Sequence, residues 1–162
     1  MKKKIAVLLA LLLILTGCSQ ASKKVVDYKV DIPDGFESIE MEGVAACWYN
    51  GDGSNVNLNI TDKDRGFSKI DADALREALI TTFQSAYEME PTISDRYFTS
   101  SEVCGMPAYQ YCYDIELAGV EMTQLIVCVD ADKTYTVTYT DTVGDWLTEF
   151  ETSAKNIQLI TE

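Results

Sequence analysis

The chain has 162 residues, 13 Lys and Arg against 26 Asp and Glu, five cysteines and no histidine. Without histidine, neither a Ser-His-Asp nor a Cys-His catalytic arrangement can be built, and the commonest general base and transition-metal ligand are missing. The acidic balance excludes the clustered Lys and Arg that a nucleic-acid surface needs.

Met1-Lys2-Lys3-Lys4 leads into an apolar run over residues 5–15 that ends in Leu15-Thr16-Gly17-Cys18. A basic start, a short apolar segment and small residues at a cut site read as a secretory signal peptide. The run is too short to span a bilayer as an ordinary helix. A cysteine directly after Leu-Thr-Gly resembles the bacterial lipoprotein signal. That resemblance implies cleavage before Cys18, lipid on its sulfur, and an anchor at the extracytoplasmic face of the cell membrane.

Removing 17 of the 162 residues leaves 145, the size of one domain. That length supports a hydrophobic core without metal or disulfide staples. Taking Lys2, Lys3 and Lys4 from the 13 basic residues leaves 10 against 26, a formal charge of −16. Anionic membrane repels such a domain, so the lipid holds it there; Lys23 and Lys24, beside the anchor, are the exception. The expected organisation is a signal over residues 1–17, a lipidated cysteine and short tether over 18–27, and a single domain over 28–162.

Residues 28–32 alternate as a short strand closed by Pro33-Asp34-Gly35, and Phe36 opens a second extended piece. Residues 43–49 and 55–61 read as a hairpin around Asn50-Gly51-Asp52-Gly53-Ser54, with Val56, Leu58 and Ile60 on one face. That turn carries calcium-loop residue types but lacks the pattern of an EF-hand, so turn chemistry is the better reading. Residues 71–88 form the main helix, with Leu75, Ala78, Leu79, Thr82, Phe83, Ala86 and Tyr87 on one stripe, Asp71 as N-cap and Pro91 beyond its end.

Residues 92–140 read as an antiparallel meander. One strand covers 97–104 and turns at Gly105-Met106-Pro107. The next carries Tyr109, Tyr111, Tyr113, Ile115 and Leu117 on one face and turns at Ala118-Gly119. Residues 121–129, apolar on both faces after Gln124, predict a central strand. Residues 134–140 alternate tyrosine and valine with threonine. A closing helix over 145–156 points Trp146, Leu147, Phe150 and Ala154 inward, and Ile157 continues its stripe.

This order, with Ile32-Pro33-Asp34-Gly35-Phe36, Val103-Cys104-Gly105-Met106-Pro107-Ala108, Tyr135-Thr136-Val137-Thr138-Tyr139-Thr140 and Phe150-Glu151-Thr152-Ser153-Ala154 in sequence, resembles the PsbP-like superfamily. The superfamily also holds Mog-type Ran-binding proteins and bacterial envelope lipoproteins. The resemblance implies an α+β fold: an antiparallel sheet flanked by helices, an α/β/α sandwich. It further implies an accessory or binding protein, not an enzyme, with no cofactor. Neither a photosystem nor a small GTPase transfers as partner, because fold alone does not give function. The alternative fold is another α+β type, a cystatin-like or nuclear-transport-factor-like cone.

The functional expectation is a membrane-tethered, non-enzymatic binding or accessory module for a protein partner. The alternative is an extracytoplasmic small-ligand or calcium receptor, motivated by the acidic balance. Lipidation falls on Cys18. Tyr109, Tyr111 and Tyr113 are the candidate partner-binding residues, since three rings on one strand face make an aromatic platform if exposed. Ile115 and Leu117 share that face and favour packing beneath a helix instead. Asp62, Asp64, Asp71 and Asp73 form a loose acidic group, Asp130 and Asp132 flank a turn, and Asp114 and Glu116 alternate on one strand face; solvated loops and caps explain the first two sets. Cys47, Cys104, Cys112 and Cys128 contain no C-x-x-C and predict no metal site. They allow up to two disulfides in three pairings, or buried free thiols.

Overall fold

A computed structural model describes residues 24–62 and 71–162. The expected signal peptide and Cys18 lie outside those residues, as does Asp64. Eight strands form one antiparallel sheet. Its path runs β2 (Glu37–Ile39), β3 (Ala46–Tyr49), β4 (Asn55–Thr61), then β9 (Thr134–Asp141), β8 (Val120–Asp130), β7 (Met106–Leu117) and β5 (Thr92–Ile93). β6 (Thr99–Val103) shares the outer edge of β7 with β5, pairing with its first half. The first and last strands, β1 (Val25–Lys29) and β10 (Gln158–Thr161), form a separate two-stranded ribbon.

Period-two alternation splits the core between the two sheet faces. On one face Val56 and Leu58 of β4, Leu125, Val127 and Val129 of β8, and Tyr135, Val137 and Tyr139 of β9 pack with helix α2 (Leu147–Lys155) through Phe150 and Ala154. The ribbon closes this layer with Val25, Tyr28 and Leu159. On the other face Tyr109, Tyr113 and Ile115 of β7 and Ile126 and Cys128 of β8 meet Leu75, Leu79 and Phe83 of helix α1 (Ala72–Tyr87). β8 is therefore covered on both sides, and residues 124–130 are all buried.

Asp71 caps α1 as expected: its carboxylate accepts from the backbone N–H groups of Asp73 and Ala74 at 2.9 and 3.1 Å. The buried stripe is narrower than expected. Leu75, Leu79 and Phe83 are buried at i, i+4 and i+8, while Ala86 faces solvent.

Several boundaries differ from the sequence reading. β1 begins at Val25, inside the span assigned to the tether, because its partner β10 supplies a ladder that local alternation cannot reveal. β10 itself was read as a tail to the last helix. Ile157 and Leu159 are buried in strand spacing, and α2 ends at Lys155. The expected strand over 97–104 is split: Asp95–Tyr97 is a turn of 3-10 helix and only Thr99–Val103 is extended. The turn after it is Cys104-Gly105, with φ of 52° and 71°, and Met106 already pairs with Val103.

Candidate functional site

The tyrosine ladder is a correction to the platform reading. α1 lies over it. Tyr109 and Tyr113 are 3% and 8% exposed, and Phe83 meets the Tyr113 ring edge-on at 5.1 Å. Phe98 packs against Tyr109 and Tyr111. The Tyr113 hydroxyl donates to Gln124 Oε1 at 2.5 Å, and the Gln124 amide donates to Thr140 Oγ1 at 3.0 Å. Tyr111 is half-buried; desolvation inside the fold, with Cys128 beside it, pushes its phenol well above the usual range. Rings packed beneath α1 and Phe98 in this way do not form an open aromatic platform.

Among the described residues the four cysteines, Cys47, Cys104, Cys112 and Cys128, are free thiols. Burial pushes the thiols of Cys112 and Cys128 up to about 12, far from the range of a nucleophile. Cys104 is exposed in its hairpin turn, where its sulfur accepts from the Leu159 N–H at 3.4 Å.

The acidic groups noted in the sequence separate into structural roles. Asp52 accepts from the Ser54 N–H at 2.7 Å and from the Trp146 indole at 3.1 Å, which ties the β3–β4 loop to the start of α2. Asp62 pairs with Lys133 at 2.9 Å. Asp71 is the helix cap, and Asp130 and Asp132 flank the β8–β9 turn. Among the described residues, no three Asp, Glu or Cys side chains are placed to hold one metal ion.

Asp114 and Glu116 remain, and they lie in the most suggestive surface of the domain. An open groove of about 570 Å³ runs between the outer end of the β7–β8 hairpin and the loop after β9. Glu90, Asp114, Glu116, Glu121 and Asp141 line it, with Thr92, Thr123, Ile115 and Met122 between them and, among the described residues, no basic side chain. Val143 belongs to its wall and Val120 starts the adjoining strand, 48% and 45% exposed.

Hairpin geometry creates the groove's charge. Ala118 and Gly119 both have positive φ, 55° and 80°, as a two-residue turn matched to strand twist requires. That turn pairs Leu117 with Val120 and then sets Glu116 directly opposite Glu121. Like charges facing each other across a ladder are destabilising. One rung further, Thr123 Oγ1 donates to Asp114 Oδ1 at 2.6 Å. The Asp141 carboxylate is used structurally, accepting from the backbone N–H groups of Val143, Gly144 and Trp146 at 3.1, 2.8 and 2.8 Å. Glu90 and Glu121 were not singled out in the sequence. Glu121 was accessible there, because a two-residue Ala118-Gly119 turn fixes the register. Glu90 was not, because it reaches the groove only through the short β5 pairing with β7.

The architecture decides what the molecule is similar to. The solution structure of cyanobacterial PsbP (CyanoP) from Synechocystis sp. PCC 6803 superposes with a TM-score of 0.64 over 92% of this chain and 99% of that chain, at 15% identity. The fold is PsbP-like. LpqN, involved in cell envelope biogenesis of Mycobacterium tuberculosis, matches with a TM-score of 0.54, 12% identity and 83% of each chain covered. A crystal structure from Bacteroides thetaiotaomicron matches with a TM-score of 0.51 and 12% identity, over 88% of this chain and 50% of that one. No family model and no curated protein sequence matches the chain. The α+β expectation, a large antiparallel sheet flanked by two helices, holds.

Proposed function

We propose that this protein is a lipid-anchored accessory module of the bacterial envelope, without catalytic activity, that holds a protein partner through the acidic groove. The observation that carries the reading is the opposed Glu116–Glu121 pair in a groove lined, among the described residues, by five carboxylates and no cation. A native sequence that keeps a locally unfavourable charge arrangement does so at functional sites, where a partner compensates it. The carboxylates spread along three strands and a loop instead of converging on a point. That layout suits several Lys or Arg side chains of a partner better than one calcium ion. Val120 and Val143 add apolar contact at the rim. The Leu15-Thr16-Gly17-Cys18 signal supports the anchor, and a solved neighbour of the fold, LpqN, is itself involved in envelope biogenesis.

Two measurements test the two halves. Cys18→Ala should leave an unprocessed precursor or a protein released from membranes, since anchoring needs the acyl chains. A variant still acylated and correctly processed removes the anchor. For the groove, the full chain should bind a lysine-rich peptide in calorimetry, with affinity that falls as salt rises. Glu116→Lys/Glu121→Lys should abolish that binding and the capture of the partner from solubilised envelope. Equal binding by the reversed variant sinks the groove, and turnover of a substrate by the purified protein sinks the non-enzymatic reading.

A further inference from the structure

We infer that the outer face of the β1–β10 ribbon is the surface on which the domain rests against the membrane. The inference deepens the anchored reading above and depends on it. Val25, Tyr28 and Leu159 turn inward to the core. Their neighbours point the other way: Val26, in the bulge of β1, and Ile160, paired with Asp27, are 50% and 47% exposed. Two large aliphatic side chains thus stand together on the outside of the strand that leads from the anchor.

The reach of the chain selects the occupant. From Cys18 to Lys24 there are six peptide steps, which span at most about 20 Å fully extended. Lipid inserted at Cys18 therefore holds the start of β1 within that distance of the bilayer. Charge selects the same face. Of the 10 basic residues that follow the signal, Lys23, Lys24 and Lys29 fall within seven positions. Lys24 pairs with Glu162 at 3.2 Å, and Lys29 is matched by Asp27 on the same strand. The ribbon is locally neutral in a domain of formal charge −16, so an anionic leaflet repels it less than it repels the domain's average surface.

The same orientation carries the acidic groove away from the lipid. β10 meets the β6–β7 turn, where the Leu159 N–H bonds Cys104 Sγ. The groove and Val120 lie toward the opposite end of the 12-residue β7, about 25–35 Å along it.

The test uses acylated full-length protein in vesicles of phosphatidylethanolamine and phosphatidylglycerol, with and without brominated acyl chains. Ile160→Trp and Val26→Trp are reporters on the ribbon, Val120→Trp is the distal control, and the native Trp48 and Trp146 give a constant background. Either ribbon indole should emit at shorter wavelength on vesicles and lose most of its added emission to bromine, while the Val120→Trp indole keeps its own. Ribbon indoles quenched no more than the Val120→Trp indole, on acylated and vesicle-bound protein, overturn the inference alone. Mass spectrometry showing no acyl group on Cys18 removes the anchor and the inference with it.

Discussion

Phe83 shows how much one side chain holds. It is 3% exposed, sits against Tyr113 and Tyr87, and completes the buried stripe that fixes α1 to the sheet. Phe83→Ala should cost about 3–5 kcal/mol in a denaturant titration, from lost burial and the cavity left behind; an unchanged midpoint means that α1 is not packed as described. The thiols give a second test. Cys47, Cys112 and Cys128 are buried and Cys104 is exposed, so a disulfide-exchange reagent should modify one thiol in the native protein and four after denaturation. A fifth thiol would mean that Cys18 carries no thioether. Burial holds the Cys112 and Cys128 thiols neutral to about 12, above the ordinary 9.0 that they regain on unfolding. The unfolded chain releases those protons first, so stability is intact below pH 9 and falls as pH rises from there toward 12, each thiol adding up to about 1.4 kcal/mol per pH unit. A stability curve flat to pH 11 would count against that burial.

At the scale of elements, turns and caps decide more than propensity does. Asp141 is 2% exposed and gathers three backbone N–H groups that would otherwise be left without partners at the entry to α2. Asp141→Ala should cost about 2 kcal/mol, because the entry to α2 loses three hydrogen bonds to one buried carboxylate. Thermal melting reads that loss. Glu116→Gln moves the other way. Relieving the opposed pair with Glu121 should raise stability by up to about 1 kcal/mol while weakening the lysine-rich peptide; a loss of stability would mean that the hairpin does not hold the two carboxylates opposite each other. Elements that stated themselves locally were legible in the sequence: the capped stripe of α1, the alternation of β4 and β9, and the continuous apolar run of β8. Elements defined by a distant partner were not. β5 is two residues long, β1 extends backwards into the expected tether, and β10 passes for helix because Ile157 falls at both spacings. The tyrosine face was visible, but its cover was not, since which side of the sheet α1 chooses is a tertiary matter. The groove was half visible: Asp114 and Glu116 stand in the sequence, and only the register brings Glu121 against them.

The molecule as a whole divides its labour along the length of β7. Apolar residues and neutralised charge gather at the ribbon end, and carboxylates gather at the hairpin end. The sheet between them is sealed on both faces by helices. That separation explains why no one sequence motif announces the function: each end is assembled from segments far apart in the chain. The pairing of the first strand with the last also orders events in time. Val25 faces Thr161, 136 positions along, and Asn55 faces Thr140, so the longest-range contacts join the earliest and latest parts of the chain to emerge. A sheet of such non-local pairs folds in milliseconds to seconds, slower than helical domains of equal size. β1 therefore stays unpaired, with Tyr28 uncovered, until the distant four-residue β10 segment is available to it. Loss of Gln158–Thr161 should leave the remainder sensitive to protease, which makes so short a strand the closing piece of the fold.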